Sequence, residues 1–233
     1  FGFNKMPDLD IYFAGDTCYR NSNASKSFPF KLTPRYKHFN YFERAVFNRE
    51  KSNLIFLLNE KQKNIFKHEY ETQESRLRII PPGLSDNWLS TEVSFDLRQE
   101  VNIKKSSKIL LFVGSDFFRK GLDRAIKSLA NLQNINEDAY LIVAGEDNKK
   151  SFEVLCKKLG VSNRVIFLGP RKDVKRLMMN SDILIHPARE EAAGNVIIEA
   201  MQCSLPVLIS GEVGYSDLVK SKGVGLVTKE GFI

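Results

Sequence analysis

At 233 residues, with 42% hydrophobic and 27% charged residues, the chain has globular proportions and is long enough for one large domain or two modest ones, which excludes the disordered and fibrous classes. A Lys and Arg total of 35 against 28 Asp and Glu leaves +7, so an acidic partner is worth testing: nucleic acid, a phosphorylated substrate or an anionic membrane. No apolar run approaches the roughly 20 residues of a membrane-spanning helix, and three scattered cysteines (Cys18, Cys156, Cys203) without a Cys-x-x-Cys or paired histidines argue for reduced, structural thiols and against zinc. The opening Phe1-Gly2-Phe3-Asn4-Lys5 has no apolar segment of a secretory signal. Starting without Met and stopping at Ile233 after the strand-like Gly225-Leu226-Val227-Thr228, the chain is expected to be an internal piece of a longer protein.

In chain order, the first informative stretch is Cys18 to Lys51. It holds eight Lys or Arg (Arg20, Lys26, Lys31, Arg35, Lys37, Arg44, Arg49, Lys51) against two acids (Glu43, Glu50), a net +6. Eight aromatics are interleaved: Tyr19, Phe28, Phe30, Tyr36, Phe39, Tyr41, Phe42 and Phe47. Basic and aromatic side chains together suit a lipid headgroup surface or a single-stranded nucleic acid. A solvated helix with a buried aromatic face fits the same residues. His38 belongs to this surface, and His68 to a polar helix. Residues 1–82 form the first segment. A polar stretch opened by Pro81-Pro82-Gly83 marks 83–107 as a linker, and residues 108–233 form the second segment.

The second segment alternates short apolar runs with helical periods. Strands are expected at Lys108 to Val113, Ala139 to Ala144, Arg164 to Leu168, Asp182 to His186, Leu205 to Ile209 and Gly225 to Val227. Leu122, Ile126, Leu129 and Leu132 share one helical face, and Phe152, Leu155, Cys156 and Leu159 another, closed by Gly160. Further helices fit Asp173 to Asn180, Gly194 to Gln202 and Tyr215 to Ser221. Continuous apolar strands alternating with helices predict a parallel sheet covered on both faces, the α/β class, with ligands beyond the carboxyl ends of the strands.

Two strand-to-helix loops could carry chemistry. Gly114-Ser115-Asp116-Phe117-Phe118-Arg119-Lys120-Gly121 joins a buried strand to an amphipathic helix, where backbone N–H groups and the helix dipole attract phosphate. Arg119 and Lys120 add positive charge beside the permissive Gly114. The loop is neither a Walker loop nor a dinucleotide fingerprint, and an ordinary connection with a surface Arg-Lys pair is the competing reading. The second loop, Glu190-Glu191-Ala192-Ala193-Gly194-Asn195, runs into a helix carrying Glu199 among Ile197, Ile198, Ala200 and Met201. Small residues let a ligand approach the backbone, and an acid in apolar company calls for a specific partner. His186 ends a strand, where a donor-site role competes with that of a satisfied structural histidine.

Together these features resemble the GT-B-fold glycosyltransferases of family 4. Glu191 and Glu199 match that family's Glu-x7-Glu donor signature, and Gly114-Ser115 with Arg119-Lys120-Gly121 is similar to its diphosphate loop. Ile80-Pro81-Pro82-Gly83 resembles its interdomain Ile-Pro-Asn-Gly, with Pro82 in place of Asn. Gly169-Pro170-Arg171-Lys172-Asp173-Val174 resembles the loop that receives the nucleotide base, and Leu205-Pro206-Val207-Leu208 followed by Gly211 and Gly214 the last loop of the site. Phe3-Asn4-Lys5-Met6-Pro7, Tyr12-Phe13-Ala14 with Asp16, Arg35-Tyr36, Phe42-Glu43-Arg44-Ala45 and Glu191-Ala192-Ala193-Gly194 are similar to the family's lipopolysaccharide core heptose glucosyltransferases.

The resemblance implies two Rossmann-like domains facing a cleft, the N-terminal one incomplete, and a metal-independent, cofactor-free enzyme. That enzyme moves a hexose, glucose by analogy, from a UDP-sugar to an inner-core heptose of lipopolysaccharide or a similar lipid-linked saccharide, with retention. Arg119 and Lys120 would neutralise the leaving diphosphate, Glu199 would hold the ribose, and Glu191 a hydroxyl of the transferred sugar beside the backbone of Ala193, Gly194 and Asn195. Gly114, Ser115 and Arg171 complete the implied donor site, and Asp16 is a catalytic candidate on the acceptor side. Asp8-Leu9-Asp10 spells the metal motif of another fold and is taken as coincidence. A peripheral position on the inner face of the cytoplasmic membrane is implied, with Lys26, Lys31, Arg35 and Lys37 as membrane contacts and no nucleic acid partner. A UDP-sugar epimerase and a nucleic-acid-binding module are the alternatives.

Overall fold

The structure, a computed structural model, describes residues 1–48, 50–83, 95–133 and 138–228. Arg49 of the basic stretch and residues 84–94 of the expected linker lie outside the described residues. The chain divides into two compact units, Phe1–Gly83 and Leu84–Ile233.

The first unit is built on three parallel strands, β1 (Ile11–Ala14), β2 (Leu54–Leu57) and β3 (Leu77–Ile79), in that spatial order. Tyr12, Ala14, Ile55 and Leu57 are buried at alternating positions of β1 and β2. Parallel pairing requires crossovers. Helices Tyr19–Ser22, Phe28–Lys31 and Pro34–Phe47 separate β1 from β2, and helix Glu60–Tyr70 separates β2 from β3. Pro34–Phe47 starts where Thr33 accepts the Tyr36 N–H at 3.3 Å with proline in the first turn. At its far end the buried Arg76 guanidinium donates to the carbonyls of Val46 (2.7 Å) and Asn48 (2.8 Å), a cation set against the negative end of the helix dipole. Phe47 stacks on Phe66 at 3.7 Å between ring centroids.

One acid organises this unit. Glu43 is fully buried, and its carboxylate accepts the backbone N–H of Tyr19 (2.8 Å) and Arg20 (2.9 Å) and the Tyr70 hydroxyl (2.6 Å). It also pairs with the Lys5 ammonium at 2.8 Å. The carboxylate thereby satisfies orphan donors at the start of helix Tyr19–Ser22 and holds the chain start against two helices.

In the second unit, strands β4 (Lys108–Val113), β5 (Ala139–Ala144), β6 (Val165–Gly169), β7 (Ile183–His186), β8 (Val207–Ser210) and β9 (Gly225–Thr228) form one parallel sheet in the order β6-β5-β4-β7-β8-β9. Counted within the unit this is 3-2-1-4-5-6, the doubly wound arrangement. Each strand starts or ends within two residues of its apolar run, because buried parallel strands are apolar on both faces. Leu122, Ala125, Ile126 and Leu129 of helix Leu122–Gln133 pack against the sheet with Phe112, Phe117, Leu141 and Val143. Helices Lys150–Lys158, Val174–Met179, Asn195–Gln202 and Ser216–Lys222 supply the other connections.

Residues 95–107, which the sequence reads as linker, are packed into this unit. Leu97 of helix Leu97–Glu100 is fully buried, and the Arg98 guanidinium donates to the carbonyls of Ser107 (3.0 Å) and Asn180 (2.9 Å) and to Asp182 (2.5 Å). The polar composition that suggested a linker is the exposed side of a docked helix.

Candidate active site

The strand order reverses between β4 and β7, and such a switch point is where doubly wound sheets bind ligands, beyond the carboxyl ends of the strands. The loops leaving these two strands are the two singled out in the sequence. Glycines let them interlock. A Cβ at Gly121, where φ is +82°, would lie 2.1 Å from the Pro187 carbonyl oxygen, and one at Gly145 would lie 2.1 Å from that of Gly114. Neither position has room for a side chain.

Polar contacts then lock the loops. The Arg189 N–H donates to the Arg119 carbonyl at 2.8 Å, and the Arg119 guanidinium to the Glu190 carbonyl at 3.0 Å. Arg189 also makes a two-pronged pair with Asp123, 2.7 Å on each prong, while its guanidinium lies 4.0 Å over the Phe118 ring. The Phe117 N–H donates to Asp147 at 2.7 Å, tying in the loop after β5. A fourth loop joins after β8: the N–H of Gly214 donates to the Glu191 carbonyl (3.0 Å) and that of Tyr215 to the Ala193 carbonyl (3.2 Å). The backbone around the site is therefore fixed by the protein itself, the condition for electrostatic preorganisation.

At the centre the Lys120 ammonium contacts the Glu191 carboxylate, and the His186 Nε2 lies 3.4 Å from the same carboxylate oxygen. Burial pulls Lys120 down to about 8, with the Arg119 guanidinium acting in the same direction and Asp116 against it. The Glu191 carboxylate favours the ammonium form, so Lys120 is positively charged at neutral pH. Burial, followed by the charges of Lys120 and Arg119, pushes His186 down to about 3, so its imidazole is neutral. Burial raises the Glu199 carboxyl above its ordinary value.

The structure brings together Arg119, Lys120, Glu191, Ala193 and Gly194. Gly194, at φ +93°, is the left-handed residue before helix Asn195–Gln202. A side chain there would press on Val213, Glu191 and Ile197 at 3.1–3.3 Å and hold an unfavourable backbone. Asn195 is exposed at the first helical position, and Glu199 lies half-buried one turn further. Glu191 precedes the helix, so the two acids do not share a helical face. Gly114 closes β4 by donating to the Ala144 carbonyl at 2.9 Å, and Ser115 is exposed beside it. Arg171 lies in the loop after β6, with its guanidinium held by Glu100 (2.5 Å) and Asp173 (2.7 Å).

Asp16 belongs to the first unit, 63% exposed and 3.2 Å from the Lys5 ammonium. Lys26, Arg35 and Lys37 are exposed on that unit, and Lys31 donates to the Ala24 carbonyl at 2.9 Å. Among the described residues, no three His, Cys, Asp or Glu gather to hold a metal ion, Asp8 and Asp10 included. Sequence reasoning missed the Asp123–Arg189 clamp and the Asp147 tie, whose partners are 66 and 30 positions apart. Of the two readings the sequence leaves for His186, the satisfied structural histidine does not fit, since neither ring nitrogen has a hydrogen-bond partner among the described residues.

A doubly wound sheet whose switch point gathers a lysine, an arginine and a glutamate on glycine-relaxed loops places this unit in the α/β class whose ligands sit beyond the carboxyl ends of the strands. The chain belongs to the glycosyl transferases group 1, whose family profile matches residues 93–231. It is 43% identical, over 99% of its length, to the lipopolysaccharide glucosyltransferase WaaG of Escherichia coli K12. It superposes on the crystal structure of WaaG, a glycosyltransferase involved in lipopolysaccharide biosynthesis, with a TM-score of 0.91 over the whole of this chain at 42% identity. The fold is thus the α/β, parallel-sheet fold of the GT-B type. The chain spans 63% of the length of the Escherichia coli enzyme and 64% of the crystallised chain. Anabaena HepE, solved in complex with UDP and glucose, matches 95% of this chain at 25% identity with a TM-score of 0.74, and the chain covers 58% of it.

Proposed function

We propose that the chain is the donor-binding and partial acceptor portion of a retaining glycosyltransferase that moves glucose from UDP-glucose to an inner-core heptose of lipopolysaccharide or a similar lipid-linked saccharide. The observation that carries this reading is the Lys120–Glu191 pair at the switch point of a chain in this family. Lys120, aided by Arg119, neutralises the diphosphate as it leaves, and hydrogen-bond donors and charges set in advance stabilise that charge where it develops. Because Lys120 and Glu191 pair with each other, a diphosphate at Lys120 competes with Glu191 and frees its carboxylate for a hydroxyl of the hexose. Gly114, Ser115, Ala193, Gly194 and Asn195 line the donor with backbone, Glu199 takes the ribose, and the loop of Arg171 receives the base. Asp16 is proposed as the catalytic candidate of the first unit. Neither the epimerase nor the nucleic-acid reading is favoured by the relatives. A panel of nucleotide-sugar donors with the full-length protein, read by mass spectrometry of the lipid acceptor, tests the reading: glucose transfer from the UDP donor supports it, and transfer of another sugar or none refutes it.

The two acids should separate by experiment. Glu199→Gln is expected to weaken UDP affinity, and Glu191→Gln to lower the rate with UDP-glucose without weakening UDP affinity, because UDP lacks the hexose and the lost carboxylate was a competitor for Lys120. Calorimetry with UDP alone distinguishes them, and the reverse pattern exchanges the assignments.

The first unit is proposed to hold the enzyme on an anionic membrane surface, at the inner face of the cytoplasmic membrane. Phe28, Phe39 and Tyr41 are exposed beside Lys26, Arg35 and Lys37, with Phe28 73% exposed. Among the described residues no helix is long and apolar enough to cross a membrane. Each basic residue near an anionic leaflet contributes about 1 kcal/mol. Binding to vesicles containing phosphatidylglycerol is therefore expected, lost at high salt and lost when Lys26, Lys31, Arg35 and Lys37 are replaced by Gln. Equal binding to neutral vesicles would show that charge is not the cause.

A further inference from the structure

Strand β7 ends Ile183-Leu184-Ile185-His186, and its last residue is an oddity of the core. His186 is 0% exposed, and neither ring nitrogen has a hydrogen-bond partner within the protein. One ring face lies along Phe112, with centroids 6.5 Å apart and planes 26° from parallel. An apolar residue would fill this position without leaving two polar nitrogens unpaired by the protein, and buried polar groups are ordinarily satisfied. The cost of the imidazole falls beside the site, since its Nε2 faces the oxygen of Glu191 that also meets Lys120.

We infer that His186 is a positioning residue for Glu191, its Nε2–H aimed at the Glu191 carboxylate to hold that side chain in place when Lys120 is drawn to a diphosphate. The inference rests on the reading of Glu191 given above. The tautomer follows from the neighbour. A carboxylate oxygen only accepts, so an unprotonated Nε2 would set lone pair against lone pair at a buried position, and the proton therefore sits on Nε2. The neutral state of the ring makes it a donor that does not compete with Lys120 for charge. As Lys120 turns to the diphosphate, Glu191 loses its ion-pair partner. The 3.4 Å separation is short enough for a small rotation of the carboxylate to close it into a hydrogen bond. Glu191 then meets the hexose with one oxygen held and the other free.

The test uses the full-length protein, with UDP affinity from calorimetry and kcat and KM from glucose transfer out of UDP-glucose. His186→Phe keeps an aromatic ring against Phe112 and removes the donor; kcat should fall roughly 10- to 100-fold with UDP affinity unchanged. His186→Gln, whose amide nitrogen reaches the Nε2 position, should restore most of the rate, whereas His186→Asn, whose amide falls at Nδ1, should not. This Gln-against-Asn contrast holds even if the Phe variant misfolds. Combined with Glu191→Gln, His186→Phe should add no further loss, because both act on one contact. An unchanged kcat in His186→Phe or in His186→Asn, equal rates for Gln and Asn, or an additive double variant would overturn the inference. If Glu191→Gln alone leaves kcat unchanged, the role of Glu191 itself fails, and a slow His186→Phe beside it would show that the histidine acts by another route.

Discussion

Lys120→Ala is expected to lower turnover with UDP-glucose about 30- to 1000-fold, the equivalent of about 2–4 kcal/mol of transition-state stabilisation, while the fold remains intact. The side chain is 16% exposed, and among the described residues its one ion pair is with Glu191. The loops are held by backbone and by the Asp123–Arg189 clamp, neither of which uses Lys120. Steady-state kinetics paired with a thermal melt checks this. Unchanged turnover in a folded variant would remove the loop from the mechanism. Arg119 is expected to matter less, because its guanidinium is already shared with Asp116 (2.7 Å) and the Glu190 carbonyl.

The largest effect on stability is expected in the first unit at Glu43. Glu43→Ala takes the acceptor from two helix N–H groups and the Tyr70 hydroxyl, and leaves the mostly buried Lys5 ammonium with only the exposed Asp16 carboxylate and the Thr17 carbonyl among the described residues. Breaking a buried pair by removing one partner costs about 3–5 kcal/mol. Replacing both partners, Lys5→Met with Glu43→Leu, should cost less than Glu43→Ala, because the buried ammonium is then removed together with its buried carboxylate. Denaturant titration with hydrogen exchange on helix Tyr19–Ser22 measures both. A single variant as stable as the wild type would contradict the network described here.

The contrast between these two sites shows what a sequence discloses. The second unit was legible because its information is local: apolar runs such as Ile109 to Val113 can only be buried strands, and the stripe Leu122, Ile126, Leu129 can only be one helix face. Gly114, Lys120 and Glu191 were legible because a switch-point loop and a family signature coincide on them. Glu43 was not. It stands in the sequence as one of two acids in a basic, aromatic stretch, and its partners Lys5, Cys18 and Tyr70 are 25 to 38 positions away. The aromatics divided between the two readings of their stretch. Phe47 is core, Tyr19 and Tyr36 pack on each other, and Phe28 and Tyr41 face outward, a division that depends on how helix Pro34–Phe47 lies on the sheet. Arg171 was read from its motif as a donor contact; Asp173 lies two positions on in that motif, and only the fold brings Glu100 to its guanidinium.

The central claim is that the switch point between β4 and β7 binds a UDP-sugar through its diphosphate and hexose. A crystal structure of the full-length protein with UDP-glucose tests it most directly. The diphosphate is expected beside Lys120 and the Gly114–Ser115 backbone, the ribose on Glu199, and the Glu191 carboxylate on the hexose and no longer paired with Lys120. A nucleotide bound elsewhere, or one bound here with the Lys120–Glu191 pair intact, would contradict the account.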